Sequence, residues 1–293
     1  MLCSVQDVIK TYNQKSYCDV KRISKLLNNK LNPYYAYLVG KIMGDGHLSK
    51  KYVLHFIDQD KKNLIYLREL LQDKFQILSS AFSISYRKAK GTSYKLQVND
   101  CTFGRLLFCL GAPCGNKVRQ PFNIPNFIFS NSQNLKMFLR GILEDELSTI
   151  KIINAKHCFK AKFKMSKSND YLEEHLLFME KIKLGIESFG IQCSLVRICP
   201  SKLELKTKEV SFDILSNKKN IIQFEKEIGF FLNSRKKKLL TEAVAVLKNS
   251  LPIKIDHNKV FILYQSGLSL RKIAQKLSCS KSHIHSILNN ERK

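Results

Sequence analysis

Two acidic residues, Asp45 and Glu146, stand at the same place in two copies of one short pattern. The first copy reads Leu38-Val39-Gly40-Lys41-Ile42-Met43-Gly44-Asp45-Gly46 and the second Leu139-Arg140-Gly141-Ile142-Leu143-Glu144-Asp145-Glu146-Leu147. In each, an apolar residue is followed two places on by Gly, two further on by Ile or Leu, and at the eighth place by the acid. A carboxylate at the end of a helix lies at the negative pole of the helix dipole. Two such ends side by side make a spot that is stable only with cations, and hard oxygen donors select Mg²⁺ or a similar divalent ion. Metal held between two carboxylates and a phosphodiester generates a hydroxide nucleophile and neutralises the leaving oxygen. A single copy would be an ordinary buried helix with a capping acid. Two copies in one chain point to joint use.

The glycines say how the acids are brought together. Helices approach closely only over small residues, and Gly40 and Gly44 share one helical face, with Gly141 repeating the first of them. Two motif helices packed over these glycines place their C-terminal ends, and hence Asp45 and Glu146, next to each other. Around them the same order of elements occurs twice. After an N-terminal helical extension over residues 1–32, with helices at 4–12 and 19–30, the first half spans 33–115. The helix at 19–30 buries Val20, Ile23, Leu26, Leu27 and Leu31. In the first half a helix opens at Pro33 and ends at Gly44-Asp45-Gly46. An extended stretch around 52–57, a helix at 60–75 with Leu64, Leu67, Leu70, Leu71 and Phe75 buried, a hairpin of 82–86 with 94–98, and a helix at 102–110 follow. Residues 116–132, within a Pro- and Asn-bearing stretch, form a linker. The second half, 133–245, carries a helix at 133–146, strands near 148–154 and 158–165, a helix at 169–189, strands near 192–199 and 208–215, a helix at 218–229 and a basic helix from Asn233. Helix-strand-strand-helix-strand-strand-helix, twice, is an internal duplication with a pseudo-twofold axis and an α+β fold.

Residues 250–293 change character and fit a small all-α helix-turn-helix domain, with helices at 257–265, 269–277 and 280–290. Ala274 is small where two helices cross, Ser278 and Cys279 make the turn, Ile284 anchors the last helix, and Ser269 and Ser280 are N-caps. Basic residues outnumber acids here, which suits phosphate contact; Lys281 and His283 on the last helix are candidates for reaching DNA.

The charge of the chain names a partner class. With 50 Lys+Arg against 24 Asp+Glu, the net charge is +26, which opposes compaction unless a polyanion screens it. An anionic membrane surface is disfavoured because there is no basic amphipathic arm, and no stretch reaches the length of a membrane span. The nine Cys are irregularly spaced with no Cys-x-x-Cys pair, which argues for reduced thiols rather than a disulfide framework or a zinc site. The expectation is a soluble, intracellular protein of the cytoplasm or an organelle matrix, monomeric and without membrane contact.

Across residues 33–245 the chain resembles the two-repeat, single-chain LAGLIDADG homing endonucleases, with the helix-turn-helix appended. Gly46-His47-Leu48, Asn116-Lys117, Ile124-Pro125, Phe138-Leu139-Arg140-Gly141, Phe189-Gly190-Ile191 and Ile228-Gly229-Phe230 agree with the family's style. The resemblance implies two αββαββα halves whose antiparallel sheets form a saddle in the major groove of double-stranded DNA. It implies a site-specific endonuclease, used in intron homing, that leaves 3′ overhangs with Mg²⁺ or another divalent cation held by Asp45 and Glu146. The family places a basic or amide side chain near the scissile phosphates, for which Lys95 is the candidate. Tyr86, Arg87, Lys162 and Lys164 on strands are expected to face DNA, and Lys236, in the run Arg235 to Lys238, to touch its backbone. Met1 and the ending Asn290-Glu291-Arg292-Lys293 lack the residues of a splicing domain, so a free-standing protein is expected. Two positions depart from the family: Leu147 replaces a Gly, at a cost if the backbone there is left-handed, and Asp145 is larger than Gly44 and would splay the helix pair. These departures keep two other classes open: a DNA-binding transcriptional regulator that has lost the chemistry, and an RNA-binding splicing cofactor.

Overall fold

The structure, a computed structural model, describes residues 3–12, 19–28, 32–87, 92–150, 161–200, 206–249, 255–277, 279 and 281–290. Among them it holds mixed helix and antiparallel sheet in two compact units, the first reaching to Val244 and the second running from Ala245. No helix among these residues is long and apolar enough to cross a membrane.

Two short helices come first, α1 (Val5–Ile9) and α2 (Val20–Asn28). A reciprocal capping box between Ser4 and Asp7 starts α1. On α2 the buried residues are Ile23, Leu26 and Leu27; Val20 is 46% exposed and so leaves the expected stripe. Arg22 pairs with Asp100, and the Arg105 guanidinium lies 4.2 Å from the ring centres of both Tyr12 and Tyr52, which ties the extension to the body.

Helix α3 (Tyr34–Met43) is buried on nearly every side. It leads into β1 (His47–Leu48), β2 (Leu54–Asp58), α4 (Lys61–Phe75), β3 (Phe82–Arg87), β4 (Ser93–Val98) and α5 (Cys101–Cys109). Asp60 caps α4 by accepting from the Lys62 N–H, and Asp100 caps α5 through the Phe103 N–H. The stripe of α4 is Leu64, Leu67, Leu71 and Phe75; Leu70 is only partly buried. The sheet order is β1-β2-β4-β3, all antiparallel. Strand alternation gives it one apolar face, with Leu48, Leu54, Phe56, Leu96 and Val98 buried. Its other face aligns His47, His55, Gln97 and Ser83 in one row, with Ile57, Lys95 and Ser85 in the next.

A linker with short 3₁₀ turns at Lys117–Arg119 and Asn126–Ser130 leads to α6 (Ser132–Glu146), capped by Asn131. The second sheet has, among the described residues, order β5-β7-β6, from β5 (Ala161–Ser168), β6 (Arg197–Ile198) and β7 (Thr207–Ile214). Most of the strand expected at 148–154 lies outside the described residues, although Leu147 bridges Phe163. The strand expected at 192–199 is regular only at Arg197–Ile198, although the segment runs along β7, with Cys193 bridging Ile214 and the Ser194 N–H on the Asp213 carbonyl; Leu195 is 80% exposed. Helices α7 (Leu172–Glu187), α8 (Lys218–Glu227) and α9 (Ser234–Asn249) complete this part, with Gly190 and Gly229 at positive φ just beyond α7 and α8.

Under the linker, His175 of α7 is 2% exposed and its Nε2 has no hydrogen-bond partner. Burial, and then the charge of Lys167, hold it neutral by pushing its pKa down to about 4 from 6.5. The unfolded chain takes up that proton near pH 6.5 and the folded chain only near 4. Stability is therefore lost as pH falls through this window, by roughly 3 kcal/mol. His175→Leu is expected to flatten the difference between urea unfolding at pH 7 and at pH 4.5; an unchanged difference would assign the acid sensitivity elsewhere.

The second unit packs α10 (His257–Gln265), α11 (Leu270–Lys276) and α12 (Lys281–Asn290) around Val260, Ile273, Ala274, Ile284, Ile287 and Leu288. Ser269 caps α11, and the Cys279 N–H closes on the Ala274 carbonyl. Ser278 and Ser280 lie outside the described residues. Lys281 and His283 are on the exposed side of α12.

Candidate active site

The two motif helices meet at their glycines. A Cβ on Gly40 would stand 2.3 Å from the Phe138 carbonyl oxygen, and one on Gly141 would stand 2.2 Å from that of Tyr37. This reciprocal contact is backbone against backbone, so only Gly fits at either position. Further along, Gly44 faces Asp145, whose Cβ and Oδ2 would each lie 2.9 Å from an added Cβ. Asp145 therefore does not splay the pair: it occupies the space that Gly44 leaves. Its Oδ1 pairs with Lys41, and its Oδ2 accepts the Asp45 N–H at 3.1 Å. Leu147 carries no left-handed strain either, since its φ is −79° and its side chain is buried in the core. The expected cost at that position is absent because the chain leaves α6 in extended form.

The preceding acid, Glu144, serves structure. Its Oε2 accepts from the Tyr37 hydroxyl at 2.6 Å, and its Oε1 accepts the N–H groups of Phe231, Leu232 and Asn233 just before α9. A buried carboxylate satisfied by main-chain donors fixes the second half to the first motif helix.

Asp45, one residue past the Gly44 cap of α3, is exposed, and Glu146, the last residue of α6, is half-buried. The structure brings them together: burial, then the charges of Asp45 and Asp145, push the Glu146 carboxyl up to about 8, while Lys117 and Lys236 pull it back. Asp145 is pushed up to about 6, by burial first, against the pull of Lys41. A solvent-open cleft borders Asp45, Asp145, Asp58, Asn63 and Lys236.

Two lysines finish the site, one at each helix end. The Lys117 ammonium, in the linker, donates to the carbonyls of Ile42 (3.0 Å), Gly44 and Gly46 (2.8 Å), so it holds the backbone on both sides of Asp45. Lys236, near the start of α9, donates to the carbonyls of Glu144 (2.7 Å), Asp145 (3.5 Å) and Leu147 (2.6 Å), on both sides of Glu146. Cations on the last carbonyls of a helix offset its negative pole. Burial lowers the pKa of each lysine, and the surrounding carboxylates oppose the fall. Sequence reasoning placed Lys236 on the DNA backbone; its ammonium is instead turned inward onto α6. It gave Lys117 no role, although the Asn116-Lys117 pair was visible.

The other sequence candidates divide. Lys95 donates to Gln97 Oε1 at 3.1 Å on the polar face of the first sheet, whereas the lysines acting on Glu146 are Lys117 and Lys236. Tyr86 and Arg87 are neighbours on one strand and point to opposite faces. Arg87 shares the polar face with Ser85, while Tyr86 lies on the Ile84 side against Tyr94, ring centres 5.6 Å apart. Lys162 and Lys164 share the polar face of β5, and Lys164 is paired with Glu209 at 3.0 Å.

Among the described residues no group of three His, Cys, Asp or Glu side chains makes a complete metal cage. The donor set at the helix ends is two hard oxygen donors, the carboxyl groups of Asp45 and Glu146. It fits a divalent ion that fills the rest of its shell with water and phosphate oxygens, the habit of Mg²⁺.

No family model matches the chain. It is 28% identical over 271 residues to the DNA-directed RNA polymerase subunit Rpo1N of Methanocaldococcus jannaschii, a match covering 84% of this chain and 20% of that protein. It is 27% identical over 245 residues to the tRNA-splicing ligase RtcB of Methanopyrus kandleri, covering 76% and 23%. The chain thus spans about a fifth of the length of these curated relatives. Its structural neighbours are LAGLIDADG homing endonucleases and the LAGLIDADG domain of WhiA. A variant of I-DmoI in complex with its target DNA in the presence of Mn matches at 16% identity and TM-score 0.43, covering 71% of this chain and 97% of that one. The N-terminal LAGLIDADG domain of WhiA matches at 16% and 0.42, covering 72% and 89%.

Proposed function

We propose that this chain is a site-specific double-stranded DNA endonuclease of the LAGLIDADG kind, dependent on a divalent metal ion and leaving 3′ overhangs. The observation that carries the reading is the glycine-to-glycine crossing of α3 and α6, at whose end the Asp45 N–H meets the Asp145 carboxylate and a lysine is braced across each helix end. Asp45 and Glu146 would hold the divalent ion, which would supply acidification of a water and neutralisation of the leaving oxygen. Lys117 and Lys236 fix the backbone that carries those carboxylates and keep positive charge beside the developing phosphate charge, taking the place reserved for Lys95. The polar faces of the two sheets, with Arg87, Lys162 and the His47–Gln97 row, read the major groove as a saddle, and the helix-turn-helix adds a second DNA contact through Lys281 and His283. The net charge of +26 supports a polyanionic partner. The relatives support the homing part: one polymerase subunit and one tRNA-splicing ligase, proteins of different named activity, each share a segment with this chain. A segment common to such different proteins is a portable unit.

Incubating the protein with a library of randomised DNA and Mg²⁺, then sequencing the ends, is expected to give one staggered cut that EDTA abolishes. Enrichment of a bound site without any cut would instead support a DNA-binding regulator.

A further inference from the structure

Lys167 stands where β5 should bury an apolar side chain. Strand alternation places it on the inward face with Ala161, Phe163 and Met165, and it is 3% exposed. Burying an ammonium is costly unless it finds partners. Its Nζ donates to the Lys117 carbonyl at 2.6 Å and sits 3.7 Å from the centre of the Phe122 ring. Phe122 in turn packs edge-on against Phe178 of α7 at 5.0 Å. No ion pair to Lys167 is formed among the described residues. Burial and the neighbouring charge of Lys117 push it down to about 8, with Glu174 the acid that opposes them. A charge kept on such terms in a core position has a use, and its two partners, Lys117 and Phe122, bracket the first turn of the linker.

We infer that Lys167 is a positioning residue: from the second half it pins the linker backbone at Lys117, so that the Lys117 side chain reaches back to brace the Asp45 end of α3 in the first half. The relay runs from Lys167 Nζ to the Lys117 carbonyl, and from Lys117 Nζ to the Gly44 and Gly46 carbonyls that flank Asp45. The linker is thereby part of the site, and the two carboxylates are held in mutual register by a contact that neither motif contains. The inference rests on the endonuclease reading for its catalytic consequence, but the pinning itself stands apart from it.

Lys167→Met keeps the volume and removes the charge. In hydrogen–deuterium exchange on the full chain, it is expected to speed exchange of the amides at 116–122 roughly tenfold while α4 stays at the wild-type rate. Single-turnover cleavage with Mg²⁺ should fall roughly 10- to 100-fold, the scale of a small misplacement at a reacting centre. DNA affinity measured in EDTA should stay within about twofold, since Lys167 is buried away from any DNA face. If the methionine variant does not fold, Phe122→Leu removes the ring over the ammonium together with its edge contact to Phe178, and should speed the same amides about threefold. Linker exchange at the wild-type rate, or faster exchange spread equally over α4 and α7, overturns the inference. Should the wild type cut no DNA, the endonuclease reading fails, and linker exchange alone still decides the pinning.

Discussion

Neutralising either motif acid, by Asp45→Asn or Glu146→Gln, is expected to lower single-turnover DNA cleavage by about a thousandfold or more while binding stays within about threefold. A thousandfold corresponds to roughly 4 kcal/mol of lost transition-state stabilisation, the scale for removing a group that acts directly on developing charge. The effect should be this large because, among the described residues, no group of three His, Cys, Asp or Glu side chains could hold a metal ion, and the nearby Asp145 is already engaged by Lys41. Binding is spared because the acids repel phosphates, so removing one charge costs no contact with the DNA backbone. The variants should also fold normally: Asp45 is exposed, and the main-chain caps that fix the motif ends belong to Glu144, Lys117 and Lys236. Cutting at the wild-type rate in either variant would make that acid structural. Specific binding that is equal in wild type and variants, with no cutting in any, would make the protein a regulator on a nuclease scaffold.

The second large effect concerns stability. Gly141→Val is expected to leave little folded protein at 25 °C. Even the first carbon of the new side chain would lie 2.2 Å from the Tyr37 carbonyl oxygen and 2.9 Å from the Lys41 nitrogen, both backbone atoms of a largely buried helix. The helices must part by an ångström or more, which costs the usual ~1–3 kcal/mol of overpacking and, beyond it, the dispersion contacts of the whole interface. A native margin of about 5–15 kcal/mol does not comfortably absorb that. Gly185→Ala in α7 is the matched control: its Cβ would meet only the flexible ends of Leu135 at 3.3 Å and Leu139 at 3.8 Å. Replacing a mid-helix glycine there should be neutral or stabilise by roughly 0.5–1 kcal/mol. Urea unfolding of the three proteins checks both, and a Gly141→Val protein as stable as wild type would mean that the close crossing does not exist.

The parts legible in the sequence were those with short-range signals. Gly40, Gly44 and Gly141 announced a close helix pair because nothing else fits where two backbones touch, and the acids came with them. The α4 stripe and the β3–β4 hairpin followed from periodicity. Tyr86 was misplaced although its parity with Ile84 was readable, since two adjacent strand residues cannot share a face. Lys117 was out of reach for another reason: it sits in an aperiodic linker, and its three carbonyl partners are set by tertiary packing. Lys236 was misassigned because a run of basic residues looks alike whether an ammonium turns out to solvent or in to a helix end. Leu147 and Asp145 looked like damage because position-by-position likeness to the first copy assumes the two copies must be alike.

They are not alike, and the difference sets the ancestry of the molecule on a one-way path. Lys41 and Asp145, with side chains only 12% and 8% exposed, form one ion pair across the crossing, and each is contributed by a different repeat. In the shared frame Ile142 stands where the first copy has Lys41, and Gly44 where the second has Asp145. Two copies of the first half, associating through the same face, would bury two ammonium groups with no acid to meet them. Two copies of the second would bury two acids against isoleucine. A buried charge without its partner costs roughly 3–5 kcal/mol, and such a homodimer would carry two. The halves are complementary to each other and no longer to themselves. A gene cut in two would therefore yield partners that find only each other, and never the symmetric dimer from which a duplicated chain of this kind can descend.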